Sequence, residues 1–455
     1  MRTQSEGNRR EMTMYALIGA GPMGLAAARN LSKHGVPFQG FELHGDVGGL
    51  WDIKNPHSTM YESAHLISSK STTEFKEFPM RDELPAYPNH ADMCDYFRDY
   101  AKHFDLYKHY RFHTRVEAVE KDGDHWWVTS THDGETKRER FKGVLIANGT
   151  LHHPNRPELP GSFSGRIMHS AEYKSADQLR DQRVLIVGCG NSGADIAVEA
   201  VHHAKSVDIS LRRGYYFLPK FIGGRPIDTL GGKLKLPRPI KQRVDAAMIR
   251  MVVGKPSDYG LPDPDYAMYE SHPVMNTLIL HHLGQGDIRP RRNIRSVDGH
   301  TVSFSDGETG EYDVILLATG YKLHYPFIER SELNWPETEG APQLYLNVFP
   351  PQHDDLVVLG MIEATGLGWE GRNAQAEMVA LYLRNQDAKT EVARQFNETK
   401  RAHASKRIDG GYAYLPLDRM AYYVHKESYL EALDTATRTL RSGLDEAVAS
   451  AGARS

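Results

Sequence analysis

The stretch Tyr15-Ala-Leu-Ile18, Gly19-Ala-Gly21-Pro22-Met-Gly24, Leu25-Ala-Ala-Ala28 decides the fold. Its first four residues read as a buried strand, the glycines as a tight turn, and the alanine-rich run to His34 as a helix. A second copy follows about 170 residues later: Val184-Leu-Ile-Val187, then Gly188-Cys-Gly190-Asn191-Ser192-Gly193, then Ala194 to Ala204. Glycines in this spacing let backbone N–H groups approach a pyrophosphate, and the helix N-terminus adds positive potential. One such loop is weak evidence. Two, each between a strand and a helix, are the context that gives the pattern meaning.

Working outward, Val144-Leu-Ile-Ala147, Val314-Ile-Leu-Leu-Ala318 and Leu356-Val-Val-Leu-Gly360 are further continuous apolar runs. Such runs suit strands covered on both faces, as in parallel sheets. The expected fold is α/β, with two Rossmann-like dinucleotide-binding domains, the second inserted in the first. The expected partition is 1–165 for the first part of the outer domain, 166–318 for the inserted domain, and 319–455 for the second part with C-terminal helices. Residues 223–275, rich in Pro, Gly and Lys with weak periodicity, read as an insertion within the inner domain. From Glu427 to Val448 helical spacing returns, with Leu430, Leu433, Leu440, Leu444 and Val448 near one face, as for a packing or dimer helix.

Composition narrows the function. Among 455 residues, Lys plus Arg is 55 and Asp plus Glu 59, a net charge of −4. That balance disfavours general nucleic-acid binding. No apolar run spans a bilayer. Two cysteines, Cys94 and Cys189, exclude a disulfide framework, a four-cysteine zinc site, an iron–sulfur cluster and a redox-active thiol pair. The reading is a cytoplasmic protein without a signal peptide, and residues 1–11 are expected to lack fixed structure. The adjacent pairs His152-His153, His202-His203 and His281-His282 lack the spacing of helical metal ligands and read as surface residues, so no metal is expected.

The residue ending each second strand separates the two sites. Phe38-Gln-Gly-Phe-Glu42 puts a carboxylate where it can accept ribose hydroxyls and repel a 2′-phosphate. Val207-Asp-Ile-Ser-Leu-Arg212-Arg213 puts guanidinium groups where they can pair with a 2′-phosphate. The first site therefore suits FAD and the second NADPH. A solvated strand end is the alternative for the arginines.

Between the loops, Phe163, Gly165, His169 and Tyr173 form F-x-G-x-x-x-H-x-x-x-Y. Set between two dinucleotide loops, it resembles the fingerprint of class B flavin monooxygenases, and of flavin-containing monooxygenases of the soluble bacterial type in particular. Gly48-Gly49-Leu50-Trp51, Asn148-Gly149, Arg212-Arg213-Gly214, Ala318-Thr319-Gly320-Tyr321 and Gln375 extend the likeness over nearly the whole chain. The resemblance implies that NADPH reduces FAD, that NADP⁺ stays bound, and that a C4a-(hydro)peroxyflavin gives one oxygen atom to a small amine or thioether. It implies Glu42 at the FAD ribose, Gly49, Leu50 and Trp51 beside the FAD, Gln375 near the isoalloxazine, and Asn191 and Ser192 at the NADP pyrophosphate. For Trp51 plain core packing is an equal alternative. His169 is expected to be structural, between the domains.

One position departs from the pattern. Many members carry an asparagine six residues after a tyrosine and three before a lysine. Tyr61 and Lys70 are present here, but the asparagine position holds Ile67, with Ser68 or His65 as substitute polar groups. Substrate range and intermediate lifetime are thereby open, and Ile67 and Ser68 are the candidate residues at the flavin. Competing readings are Baeyer–Villiger oxygenation of a ketone, and a flavoprotein that binds both nucleotides but returns O₂ only as peroxide. A homodimer is compatible with the chain.

Overall fold

The computed structural model describes residues 13–230 and 236–452. The expectation for residues 1–11 lies outside them. Two five-stranded parallel sheets organise the molecule. In the first, Tyr15–Ile18 is central, with Phe38–Phe41 and then Tyr110–Arg111 on one side and Gly143–Ile146 and then Leu356–Val358 on the other. In the second, Arg183–Val187 is central, between Ser206–Ser210, which leads to Ile288–Arg291, and Val314–Leu317, which leads to Arg166–His169. Tyr15–Ile18 and the middle of Arg183–Val187, Val184 to Ile186, are buried on both sheet faces, as their apolar runs require.

Both sheets reverse strand order beside the central strand. That switch point, at the carboxyl ends of the strands, is where open α/β sheets take ligands. The chain passes between the sheets twice, and the passages touch: His153–Pro154 pairs antiparallel with Tyr321–Lys322. Gly161–Phe163 pairs with Ile294–Gly299 of the second unit, so packing with that unit begins a few residues ahead of position 166.

The stretch 223–275 differs from its weak pattern. It contains a 16-residue helix, Arg238–Val253. Only Gln242 and Ile249 of that helix are buried, while Ile240, Val244, Met248, Met251 and Val252 are exposed. With apolar side chains on the outer face too, no amphipathic period stands out in the sequence.

The paired histidines are also less uniform than expected. His153, His202 and His281 are exposed, whereas His152, His203 and His282 are half-buried. Burial pushes the His152 imidazole down to about 4, and its ring lies against that of His324 in the second passage. His169 is fully buried; its Nδ1 accepts from the Ala171 N–H at 3.1 Å and its ring meets Tyr321 edge-on.

The C-terminal helix, Lys426–Gly452, packs along Gly368–Ala388. Tyr429, Leu433 and Leu440 enter the main core, and Asn385 donates to the Leu440 carbonyl at 2.8 Å. Val448 is 74% exposed. Leu440→Ala should therefore lower stability by about 2–5 kcal/mol through the cavity it leaves, and Val448→Ala by less than about 0.5 kcal/mol. Denaturant titration of the two variants checks the contrast.

Candidate active site

The first glycine turn is closed by backbone contacts that leave no room for side chains. A Cβ at Gly24 would lie 1.9 Å from the Gly19 carbonyl oxygen. Gly19 itself takes φ +105° and would meet the Ala147 carbonyl oxygen at 2.6 Å. The helix Pro22–Lys33 then starts with proline in its first turn, where the missing N–H would have had no helical partner. A second glycine pair completes the cradle. Gly48 and Gly49 both take positive φ, and a Cβ at Gly49 would come within 2.9 Å of the Gly21 Cα. Backbone is thus packed on backbone, and an extended phosphate chain fits such a trough.

Glu42 closes the far end. One carboxylate oxygen accepts from the Ala20 N–H at 2.6 Å and the other from the His44 N–H at 2.8 Å. Burial pushes its carboxyl above the usual range, against the pull of these donors. Each oxygen keeps a second acceptor direction for a ribose hydroxyl. Glu42 therefore fixes the turn.

Leu50 and Trp51 follow in the short helical turn Gly49–Trp51 and are half-buried. Trp51 meets Trp369 edge-on at 6.0 Å, and Trp369 packs against Phe75, Tyr96 and Phe97. This contact supports the packing alternative for Trp51. Gln375 is fully buried, with both ends of its amide engaged: Oε1 accepts from the Gly360 N–H at 2.8 Å, and Nε2 donates to the Tyr429 hydroxyl at 2.6 Å. It holds the loop that leaves the strand Leu356–Val358 at the carboxyl edge of the first sheet.

The second turn repeats the first. A Cβ at Gly193 would lie 2.2 Å from the Gly188 carbonyl oxygen, and one at Gly188 would lie 2.6 Å from that of Ala318. A Cβ at Gly190 would meet nothing within 4 Å, so this edge of the turn is open to a ligand. Asn191 and Ser192 open the helix Asn191–Ala200. The Asn191 Oδ1 accepts from the Met275 N–H at 2.7 Å, tying the insertion to the turn. Arg212 is exposed and Arg213 half-buried, and among the described residues neither forms an ion pair. Nearby Arg291, in contrast, pairs with Asp208 at 2.6 Å.

Between the turns runs the segment carrying Ile67 and Ser68, both half-buried. Its polar contacts reach into the second unit. The Tyr61 hydroxyl donates to Asp195 at 3.2 Å, the Ser63 hydroxyl to Glu199 at 2.6 Å, and Lys174 Nζ to the Ser58 carbonyl at 2.6 Å. Asn276 donates to the other Asp195 oxygen at 2.6 Å, and burial raises the Asp195 carboxyl. Lys70 donates to the carbonyls of Arg81, Asp82 and Leu84. Ser68 accepts from the Thr73 hydroxyl at 2.7 Å, and His65 is exposed. Asp195 and Glu199 were missed in the sequence. The signal was there: they follow Asn191 at four-residue steps on one helix face.

Comparison with known proteins agrees with this geometry. Residues 13–433 match the family model described as flavin-binding monooxygenase-like. Flavin-containing monooxygenase 5 of Rattus norvegicus is 31% identical over 431 residues, covering 87% of this chain and 78% of that protein. Among solved structures, S-allyl-L-cysteine S-oxygenase from Allium sativum superposes with a TM-score of 0.67 at 21% identity, covering 97% of this chain and 93% of the other. Cyclohexanone monooxygenase superposes with a TM-score of 0.70 at 19% identity, covering 96% and 98%. These two likenesses concern the fold. The family match spans both glycine cradles and the segment between them, and on it the chain belongs to the flavin-binding monooxygenases.

Proposed function

We propose that the chain is an NADPH- and O₂-dependent monooxygenase that places one oxygen atom on nitrogen or sulfur of a small, uncharged or cationic nucleophile. The balance is substrate, O₂, NADPH and a proton giving oxygenated substrate, water and NADP⁺. The observation that carries this reading is the pairing of two backbone cradles with opposite charge at their ends: Glu42 at one, unpaired Arg212 and Arg213 at the other. FAD in the first cradle supplies the activation of O₂ and the transfer of oxygen. Gly19, Gly21, Pro22, Gly24 and Gly49 line its phosphates, and Glu42 takes the adenosine ribose. Gly188, Gly190, Asn191, Ser192 and Gly193 take the NADPH pyrophosphate, and the arginines take its 2′-phosphate.

The residues between the cradles orient and exclude water rather than exchange protons. Ile67 gives the wall an apolar side chain, and the Tyr61–Asp195 contact holds that wall against the second unit. Family membership and the carboxyl-edge position of both turns support this arrangement. Two buried, unpaired cysteines accord with a cytoplasmic setting. No helix among the described residues is long and apolar enough to cross a membrane.

NADPH consumption measured against an amine, a thioether and a cyclic ketone, with product and peroxide quantified, tests the reading. N-oxide or sulfoxide is expected. A lactone as the main product would make the enzyme a Baeyer–Villiger catalyst, and peroxide alone would remove oxygenation. Replacing Arg212 and Arg213 together by Ala should raise KM for NADPH by roughly tenfold or more and leave NADH kinetics nearly unchanged. The two-coenzyme comparison decides whether these side chains meet the phosphate. Glu42→Ala should weaken FAD retention by about 1.5–3 kcal/mol, read by flavin released on dilution, because the charge-assisted bonds that shape the turn are lost.

A further inference from the structure

We propose that Asp228, at the start of the insertion, is a positioning residue for the wall that carries Ile67 and Ser68. Its catalytic consequence rests on the monooxygenase reading. The contact spans about 160 residues of sequence, from the second unit to the first. One Asp228 oxygen accepts from the Ser69 backbone N–H at 2.7 Å and from the Thr72 hydroxyl at 2.7 Å. The other oxygen is buried and has no hydrogen-bond partner among the described residues.

The physical argument is about which donors would otherwise be loose. Ser69 precedes the single turn Lys70–Thr73, which is too short to hold itself. Its N–H and the Thr72 hydroxyl converge on one ionised acceptor, and such charge-assisted bonds are short and strong. The Thr73 hydroxyl reaches back to Ser68 at 2.7 Å, so the order imposed at Ser69 passes to the candidate residues. A neighbouring contact sets the reach of the strap: the Tyr87 hydroxyl donates to the Lys220 carbonyl at 2.5 Å, and the Tyr87 ring meets Phe221 edge-on at 5.2 Å. The insertion is therefore fastened to segment 67–73 at Asp228, and the residues that lead into it, Lys220 and Phe221, are held nearby against Tyr87. It decides how firmly that wall stands between the two cradles.

Asp228→Ala, Asp228→Asn and Thr72→Val test this in the FAD-loaded full chain. Two readouts are taken: hydrogen exchange in peptides covering residues 64–75, and the peroxide-to-product ratio at saturating thioether. In Asp228→Ala exchange should quicken about tenfold and the ratio rise several-fold, with KM for NADPH unchanged. Asp228→Asn keeps an oxygen that can accept from both donors but not its charge, so on both readouts it should fall between wild type and Asp228→Ala. Thr72→Val loses one of the two donors and should shift exchange in the same direction by less; it decides alone if Asp228→Ala does not retain FAD. Wild-type exchange in the Ala variant, or an Asn variant as impaired as the Ala variant, would overturn the proposal. Wild-type enzyme yielding peroxide alone would overturn the functional reading only, and the exchange arm would still decide the strap.

Discussion

Two carbonyl groups govern this molecule. The oxygens of Ala147 and Ala318 sit where a side chain on Gly19 and Gly188 would have to be. Each glycine thereby brings the end of one strand against the end of its neighbour, and each turn is locked by matching hydrogen bonds. Gly19 N–H donates to Phe41 and Ala147 N–H to Ile18; Gly188 N–H donates to Ser210 and Ala318 N–H to Val187. Any larger residue at these positions would need both the strained φ and a displaced strand. The two cradles are thus made by main chain, and their shape does not depend on flexible side chains.

The same two alanines stand at the gates between the units. Asn148-Gly149 follows the first and Thr319-Gly320 the second, and the two passages then pair at His153–Pro154 and Tyr321–Lys322. A shift of one unit against the other must pass through residues adjoining both nucleotide turns. Buried His169 and half-buried His152 line this junction, and desolvation holds both imidazoles well below their usual range. They act as uncharged packing groups at neutral pH. Across the junction, Asp195, Glu199 and Asp228 take hydrogen bonds from the segment 61–72. The wall between the cradles is therefore part of the first unit by sequence and held by the second through its side chains.

The division of labour among the candidate residues follows from this. Some positions named as cofactor contacts also hold protein to protein: Gln375 fastens Gly360, Asn191 fastens Met275, and Glu42 fastens its own turn. Among the described residues Arg212 and Arg213 form no ion pair, which sets them apart from Arg291, paired with Asp208. The Ile67 side chain offers no hydrogen bond, so side-chain polarity beside it comes from Ser68 and from the network behind it.

The sequence by itself determined the two strand–turn–helix units, because glycine spacing and unbroken apolar runs are local signals with a fixed steric cause. It also determined the opposite charge at the two strand ends, since Glu42 and Arg212 are read directly. The packing of Leu433 and Leu440 was legible from helical spacing. Tertiary structure alone decided the rest. The helix Arg238–Val253 was hidden because its outward face is apolar too. The attachment of segment 61–72 was hidden because its partners lie far along the chain and no local period links them. Both amide ends of Gln375 are filled by groups from distant segments, and hydrogen-bond satisfaction of that kind exists only once the chain has closed on itself.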